Sequence, residues 1–100
     1  MELNGLTEEL RKQASRNVRL GYKVKFVLDD GIIFWDGTGD TPDVGNEDKG
    51  DADTTISITA ENLQKLMQGG LDPTLAYMTG KLKVEGKMGV ALKLTSMFAD

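Results

Sequence analysis

The chain contains no cysteine and no histidine, and these two absences exclude most of the common catalytic and metal chemistry together. Without cysteine there is no disulfide framework, no thiolate metal site and no thiol nucleophile. Without histidine the commonest general base and the commonest transition-metal ligand are missing. Acid–base work would fall to carboxylates, and these cluster in hydrophilic turns where unperturbed pKa values are the expectation. The sequence therefore points away from an enzyme and from any bound cofactor or metal. No apolar run approaches the roughly 20 residues that span a bilayer, and the opening MELNGLTEEL carries no secretory signal pattern. A cytoplasmic protein is the expectation. A net charge of −4 argues against nucleic acid as a partner, since phosphate neutralisation needs clustered Lys and Arg. At 100 residues the chain is expected to form one domain, residues 1–100, that buries about two-thirds of its unfolded surface around a thin core.

The charges that are present are polarised along the chain. Residues 36 to 53 carry Asp36, Asp40, Asp43, Glu47, Asp48, Asp51 and Asp53 against Lys49, whereas residues 81 to 93 carry Lys81, Lys83, Lys87 and Lys93 against Glu85. A basic rim next to an apolar segment can attract anionic head groups; an ordinary solvated face is the simpler reading. The run Asp36-Gly-Thr-Gly-Asp40 invites two ligand readings, and both fail on spacing. Pro42 stands where a phosphate cradle needs its third glycine, and no helix opens there. As a calcium loop, Asp36, Thr38, Asp40 and Glu47 fall at positions 1, 3, 5 and 12, but Thr41 occupies the place of the sharp-turn glycine.

Apolar spacing gives the elements. Thr7 followed by Glu8 and Glu9 predicts a helix N-cap and a weak amphipathic helix over 8–17, with Leu10 and Ala14 inward and Val18 near its end. Tyr22 to Leu28 alternates as a strand, Asp29-Asp30-Gly31 turns, and Ile32 to Trp35 returns antiparallel. A short edge strand is expected around 43–46. Thr54 to Thr59 is a strand with Ile56 and Ile58 inward, and Thr59 caps a helix that Gly69 and Gly70 end. Asp72-Pro73 opens a further helix that stops at Gly80, and Lys81 to Glu85 reads as a strand with Leu82 and Val84 inward, taken as central in the sheet. From Met88 to Phe98 the apolar residues cover more than the roughly 100° stripe that a helix with one neighbour needs. Such a helix requires two apolar partners: the sheet, and a subunit, a membrane or a bound apolar ligand. Met67, Met78, Met88 and Met97 fall in this same half, and thioethers conform to irregular guests as readily as they fill cores.

Ala52-Asp-Thr-Thr-Ile-Ser-Ile-Thr59, Leu66-Met-Gln-Gly-Gly70, Leu71-Asp-Pro73, Met78-Thr-Gly-Lys-Leu-Lys-Val-Glu-Gly86 and Met88-Gly-Val-Ala-Leu-Lys-Leu94, in this order, resemble the sterol-carrier-protein-2 lipid-binding domain. The resemblance spans roughly residues 22 to 98. It implies an α+β fold with a five-stranded, largely antiparallel sheet, helices packed on one face, and a hydrophobic tunnel that takes lipid without catalysis. The ligand classes it implies are fatty acids, acyl-CoA, sterol-like molecules and phospholipids. Two departures stand out: a first helix shorter than is usual, which leaves one tunnel wall more open, and an end, Met97-Phe-Ala-Asp100, without a peroxisomal tripeptide. Both fit a small stand-alone bacterial-type member. The residues assigned to the tunnel are Phe26, Ile33, Trp35, Ile56, Leu66, Met67, Leu71, Leu75, Met78, Leu82, Met88, Leu92, Leu94, Met97 and Phe98, with Trp35 facing the helices and Met97-Phe98 closing one end. The expected partners are a lipid or acyl-CoA ligand and, transiently, a membrane surface or a lipid-metabolising enzyme. The rival reading is an accessory subunit that presents an apolar surface to such an enzyme.

Overall fold

The computed structural model describes residues 3–16 and 21–97, apart from the side chains of Arg16, Ser96 and Met97. The elements are α1 (Leu3–Arg16), β1 (Lys23–Val27), β2 (Ile32–Asp36), β3 (Asp43–Gly45), β4 (Thr54–Ile58), α2 (Ala60–Met67), α3 (Pro73–Met78), β5 (Leu82–Gly86) and α4 (Met88–Met97). The five strands form one sheet in the order β3-β2-β1-β4-β5. All neighbours are antiparallel except β1 and β4, which run parallel with Phe26 beside Ile56. The architecture is the expected α+β class.

Two-residue alternation sorts the side chains onto two faces. Val24, Phe26, Ile33, Trp35, Val44, Ile56, Ile58 and Leu82 join Leu6, Leu10, Leu63, Leu66, Val90 and Leu94 of the helices in one buried core. The opposite face carries Lys23, Lys25, Thr55, Ser57, Lys83 and Glu85, and Phe34, paired with Lys25, is the large apolar residue buried there. The Lys25 ammonium bonds Asp48 at 3.0 Å from the loop after β3.

The local signals worked where a side chain could satisfy an orphan backbone group. Thr59 Oγ1 accepts the Asn62 N–H at 3.1 Å and opens α2. Asp72 Oδ1 accepts the Thr74 N–H at 2.8 Å, with Pro73 in the first turn of α3. The same reasoning misplaced Thr7. The helix begins at Leu3, four residues earlier, and the Thr7 hydroxyl donates to Leu3 O at 2.8 Å from inside it. Burial of Leu6 and Leu10, both 0% exposed, extends the apolar stripe upstream and overrides the cap preference. The expected helix end at Val18 lies outside the described residues.

A second correction concerns β5, which is an edge strand and not a central one; Val84 is accordingly half-buried. Its far end presses on the start of β4: a Cβ on Gly86 would lie 2.5 Å from Asp53 O, and its φ of +93° favours glycine independently.

Candidate functional site

The helices cover the sheet unevenly. Over β1, β2 and β3 the cover is tight: Trp35, Phe26, Leu6, Leu10 and Ile33 are all fully buried. Polar contacts fasten α1 to that edge. Asn46 Nδ2 donates to Thr7 Oγ1 and to Ile32 O, both at 2.9 Å, and the Arg11 guanidinium donates to Val44 O.

Over β5 the cover is incomplete, because α3 is a six-residue helix whose buried residue is the small Ala76. The gap between α3 and α4 is a cleft in two lobes, the larger reaching the end of α2 and the 69–72 turn and the smaller reaching β5. The larger, about 590 Å³, is lined by Leu66, Gly69, Gly70, Leu71, Asp72, Pro73, Thr74, Leu92 and Thr95. The smaller, about 180 Å³, is lined by Pro73, Thr74, Tyr77, Leu82, Val84, Met88, Ala91, Leu92 and Thr95. Pro73, Thr74, Leu92 and Thr95 border both lobes. The smaller lobe is almost wholly apolar and the larger mixes polar and apolar surface; a volume of several hundred Å³ is the size of a small-molecule site.

Two of the polar side chains at the cleft are already engaged. The Thr95 hydroxyl turns back into α4 and donates to Ala91 O at 3.0 Å, and the Asp72 carboxylate caps α3. The wall thus offers hydrocarbon contact and no nucleophile–base pair. The groups with displaced pKa values lie elsewhere, in the acidic connector. Hydrogen bonds from the Thr38 hydroxyl and N–H hold Asp36 below the usual carboxylate range. The Gly50 N–H and then Lys25 do the same for Asp48, and Asp43 pushes Lys49 up. Among the described residues no group of three or more acidic side chains is placed to hold a metal ion.

The sequence profile of the SCP-2 sterol transfer family matches residues 3–99. The chain belongs to that family. Hydroxysteroid dehydrogenase-like protein 2 of Danio rerio is 40% identical over 70 residues, covering 69% of this chain and 17% of that protein. The Homo sapiens protein of the same name is 39% identical over the same shares. The chain thus spans about a sixth of the length of these curated relatives. Among solved structures, the palmitated SCP2L2 of Aedes aegypti superposes with a TM-score of 0.74 at 17% identity, over 100% of this chain and 96% of that one. The UbiJ-SCP2 ubiquinone synthesis protein gives 0.73 at 23% identity, over 95% and 90%. Both likenesses are of fold.

Within this SCP-2 fold the fifteen tunnel assignments divide into four groups. Leu66, Leu71, Leu82, Met88 and Leu92 line the cleft. Phe26, Ile33, Trp35, Ile56, Met67 and Leu94 pack in the core and border neither lobe. Leu75 and Met78 point outward from α3, 57% and 74% exposed. The Met97 side chain and Phe98 lie outside the described residues. The cleft also uses residues that sequence reasoning passed over: Gly69, Gly70, Thr74, Tyr77, Ala91 and Thr95. A signal for some of them existed, since the Asp72-Pro73 cap fixes where α3 starts and so what its first turn faces.

Proposed function

We propose that the chain is a non-catalytic lipid-binding module that takes the hydrocarbon portion of a fatty acid, acyl-CoA or similar lipid into the cleft between α3, α4 and β5. The observation that carries this reading is the two-lobed cleft, whose smaller lobe is almost wholly apolar, in a chain of a sterol-transfer family. Leu66, Leu71, Leu82, Met88 and Leu92 are its contact residues, backed by Met67 and Leu94. Burying about 12 methylenes yields on the order of 10 kcal/mol at about 0.8 each, and association costs of about 4 kcal/mol or more leave affinity in the micromolar range. The palmitated state of the similarly folded mosquito protein supports an acyl chain as the first ligand to try.

Native mass spectrometry after incubation with palmitate is the direct test. A single added ligand mass, displaced by a second lipid, is the expected outcome. Protein that stays empty at saturating palmitate, and carries no lipid when purified from its own host, overturns the proposal. A stoichiometric protein partner recovered with an empty cleft would favour the accessory-subunit reading instead.

A further inference from the structure

The sheet has two edges, and they are finished differently. β3 is three residues long, and its Val44 carbonyl accepts the Arg11 guanidinium of α1. A short, covered edge is one way a sheet avoids pairing with a neighbour. β5 is five residues long, with Lys83, Glu85 and Gly86 exposed and Val84 half-buried. Its ladder to β4 shows which of its backbone groups are spare. The register pairs Thr54 with Gly86 and Thr55 with Glu85, and the Lys87 N–H continues it by donating to Asp53 O at 3.1 Å. Bonded and non-bonded pairs alternate in an antiparallel ladder. Lys83, Glu85 and Lys87 therefore turn their N–H and C=O towards β4, whereas Leu82, Val84 and Gly86 turn theirs outward. Among the described residues nothing bonds these outward groups.

The charges along β5 indicate what such an edge accepts. Lys83 and Glu85 lie opposite the uncharged Ser57 and Thr55 of β4, and neither has an ion-pair partner among the described residues. Let a second β5 run antiparallel to the first, with a two-fold axis at Val84. Val84 then exchanges both backbone bonds with its symmetry mate, and Leu82 does the same with Gly86. Lys83 falls directly opposite Glu85 of the second copy, and Glu85 opposite Lys83, in the non-bonded positions where cross-strand side chains come closest. The neighbouring symmetric registers with the same bonding phase set Lys83 against Lys83 or Glu85 against Glu85, so charge selects the one centred on Val84. Two terms oppose the pairing. Lys81 comes opposite Lys87 just past the last bonded pair, but there Lys87 is drawn back towards Asp53, at 3.8 Å, and the Tyr22 ring, at 5.4 Å. The net charge of −4 on each copy repels at long range, where salt screens it beyond about 8–10 Å. Tyr77 and Met88, both exposed, border the smaller lobe together with Val84, so the edge also carries hydrocarbon that a neighbour would cover.

We propose that β5 pairs with the β5 of a second copy of this chain, antiparallel about Val84 and matched Lys83 to Glu85, so that two five-stranded sheets join into one across a two-fold axis. The proposal is independent of the lipid-binding reading and stands or falls without it. Sedimentation equilibrium over a concentration series measures the association. Lys83→Glu, or Glu85→Lys, replaces both matched contacts by like charges and should raise the dimer dissociation constant by roughly tenfold or more. The double variant Lys83→Glu with Glu85→Lys restores the match and should return the constant to the wild-type value. The two single variants mixed together should associate with each other although neither does so alone, because each then meets its opposite charge. Both side chains are exposed and face neutral residues of β4, so circular dichroism and thermal midpoint of the monomers should hardly change. A wild-type chain that stays monomeric up to about 1 mM, the weak end of specific association, overturns the proposal. So do single reversals that leave a dimer intact, and a folded double variant or mixture that fails to restore it. A dimer that ignores the reversals but is dissolved by Leu75→Glu with Met78→Glu would move the contact to the exposed face of α3.

Discussion

The two flanks of the sheet are built on opposite terms. Beside β2 and β3, α1 is long, its Leu6 and Leu10 are fully buried, and Asn46 and Arg11 fasten it with polar bonds. Beside β5, α3 is short, its packing contact is an alanine, and its large side chains face outward. The first flank is close-packed, where any missing methylene is felt. The second leaves hydrocarbon uncovered, which costs stability in the free protein and makes hydrocarbon ligands welcome. On the proposed lipid-binding reading, stability and binding therefore draw on different residues.

The comparison is broken most severely by truncating the closed flank. Leu10→Ala should lower unfolding free energy by about 2–5 kcal/mol in urea titrations, whereas Leu92→Ala, at a position 58% exposed, should stay within about 0.5 kcal/mol of wild type. Equal losses would show that the cleft wall is core. Binding reverses the ranking: Leu92→Glu should reduce palmitate affinity by about tenfold or more, since a charge placed in the cleft loses solvation without gaining a partner. A smaller effect comes from the α1 fastening. Asn46→Ala removes both of its donated bonds, and a loss of about 1–2 kcal/mol is expected, with palmitate affinity unchanged. A change in affinity would mean that α1 reports to the cleft.

Trp35 sharpens the contrast further. It is 2% exposed, and its Nε1 has no hydrogen-bond partner among the described residues, so its emission should be that of an apolar site and should shift little when palmitate fills a cleft across the sheet. A large shift on saturation would place ligand against β2 and open the closed flank. The smallest effects are those of pH. Asp36 and Asp48 have folded pKa values below their unfolded ones, so their contribution is complete at neutral pH and fades only as pH falls below the ordinary carboxylate range. Lys49, pushed up, contributes fully until pH rises past the ordinary lysine range. Asp48 and Lys49 are exposed and Asp36 is only partly buried, so these contributions are small. With no histidine in the chain, melting temperature and palmitate affinity should both be flat between about pH 6 and 8; a tenfold change in affinity across that window would reveal a titrating group in the cleft.

Most of the fold was legible because strands and caps are written locally. Alternation over 22–28, 54–59 and 81–85 gave three of the strands, and Thr59 and Asp72 gave two helix starts to the residue. Thr7 misled because a threonine followed by acids is a cap only if the preceding turn has nothing to bury, and Leu3 and Leu6 do. The cleft was less legible for a physical reason. Periodicity identifies apolar side chains but not which of them finds a partner. In Pro73-Thr-Leu-Ala-Tyr-Met78 the tunnel was expected to take Leu75 and Met78, whereas the helix approaches the sheet through Ala76, the residue small enough to let it come close. The wide apolar arc of α4 is divided between the core, through Val90, Ala91 and Leu94, and the cleft, through Met88 and Leu92.

The parallel seam between β1 and β4 sets how the molecule would come apart. Every other strand pairing joins neighbours within 23–45 or within 54–86, so the seam divides the sheet into two pieces, each continuous in sequence and joined by the acidic connector. Every residue that lines the cleft falls in the second piece, between Leu66 and Thr95. The first piece, with α1, serves as a platform that holds β4 in register through Val24 and Phe26. A chain cut within the connector would thus yield two fragments with unequal tasks. Their reassembly would have to go through that single parallel pairing and the packing of α1 on α2, and lipid affinity would return only as fast as the seam re-formed.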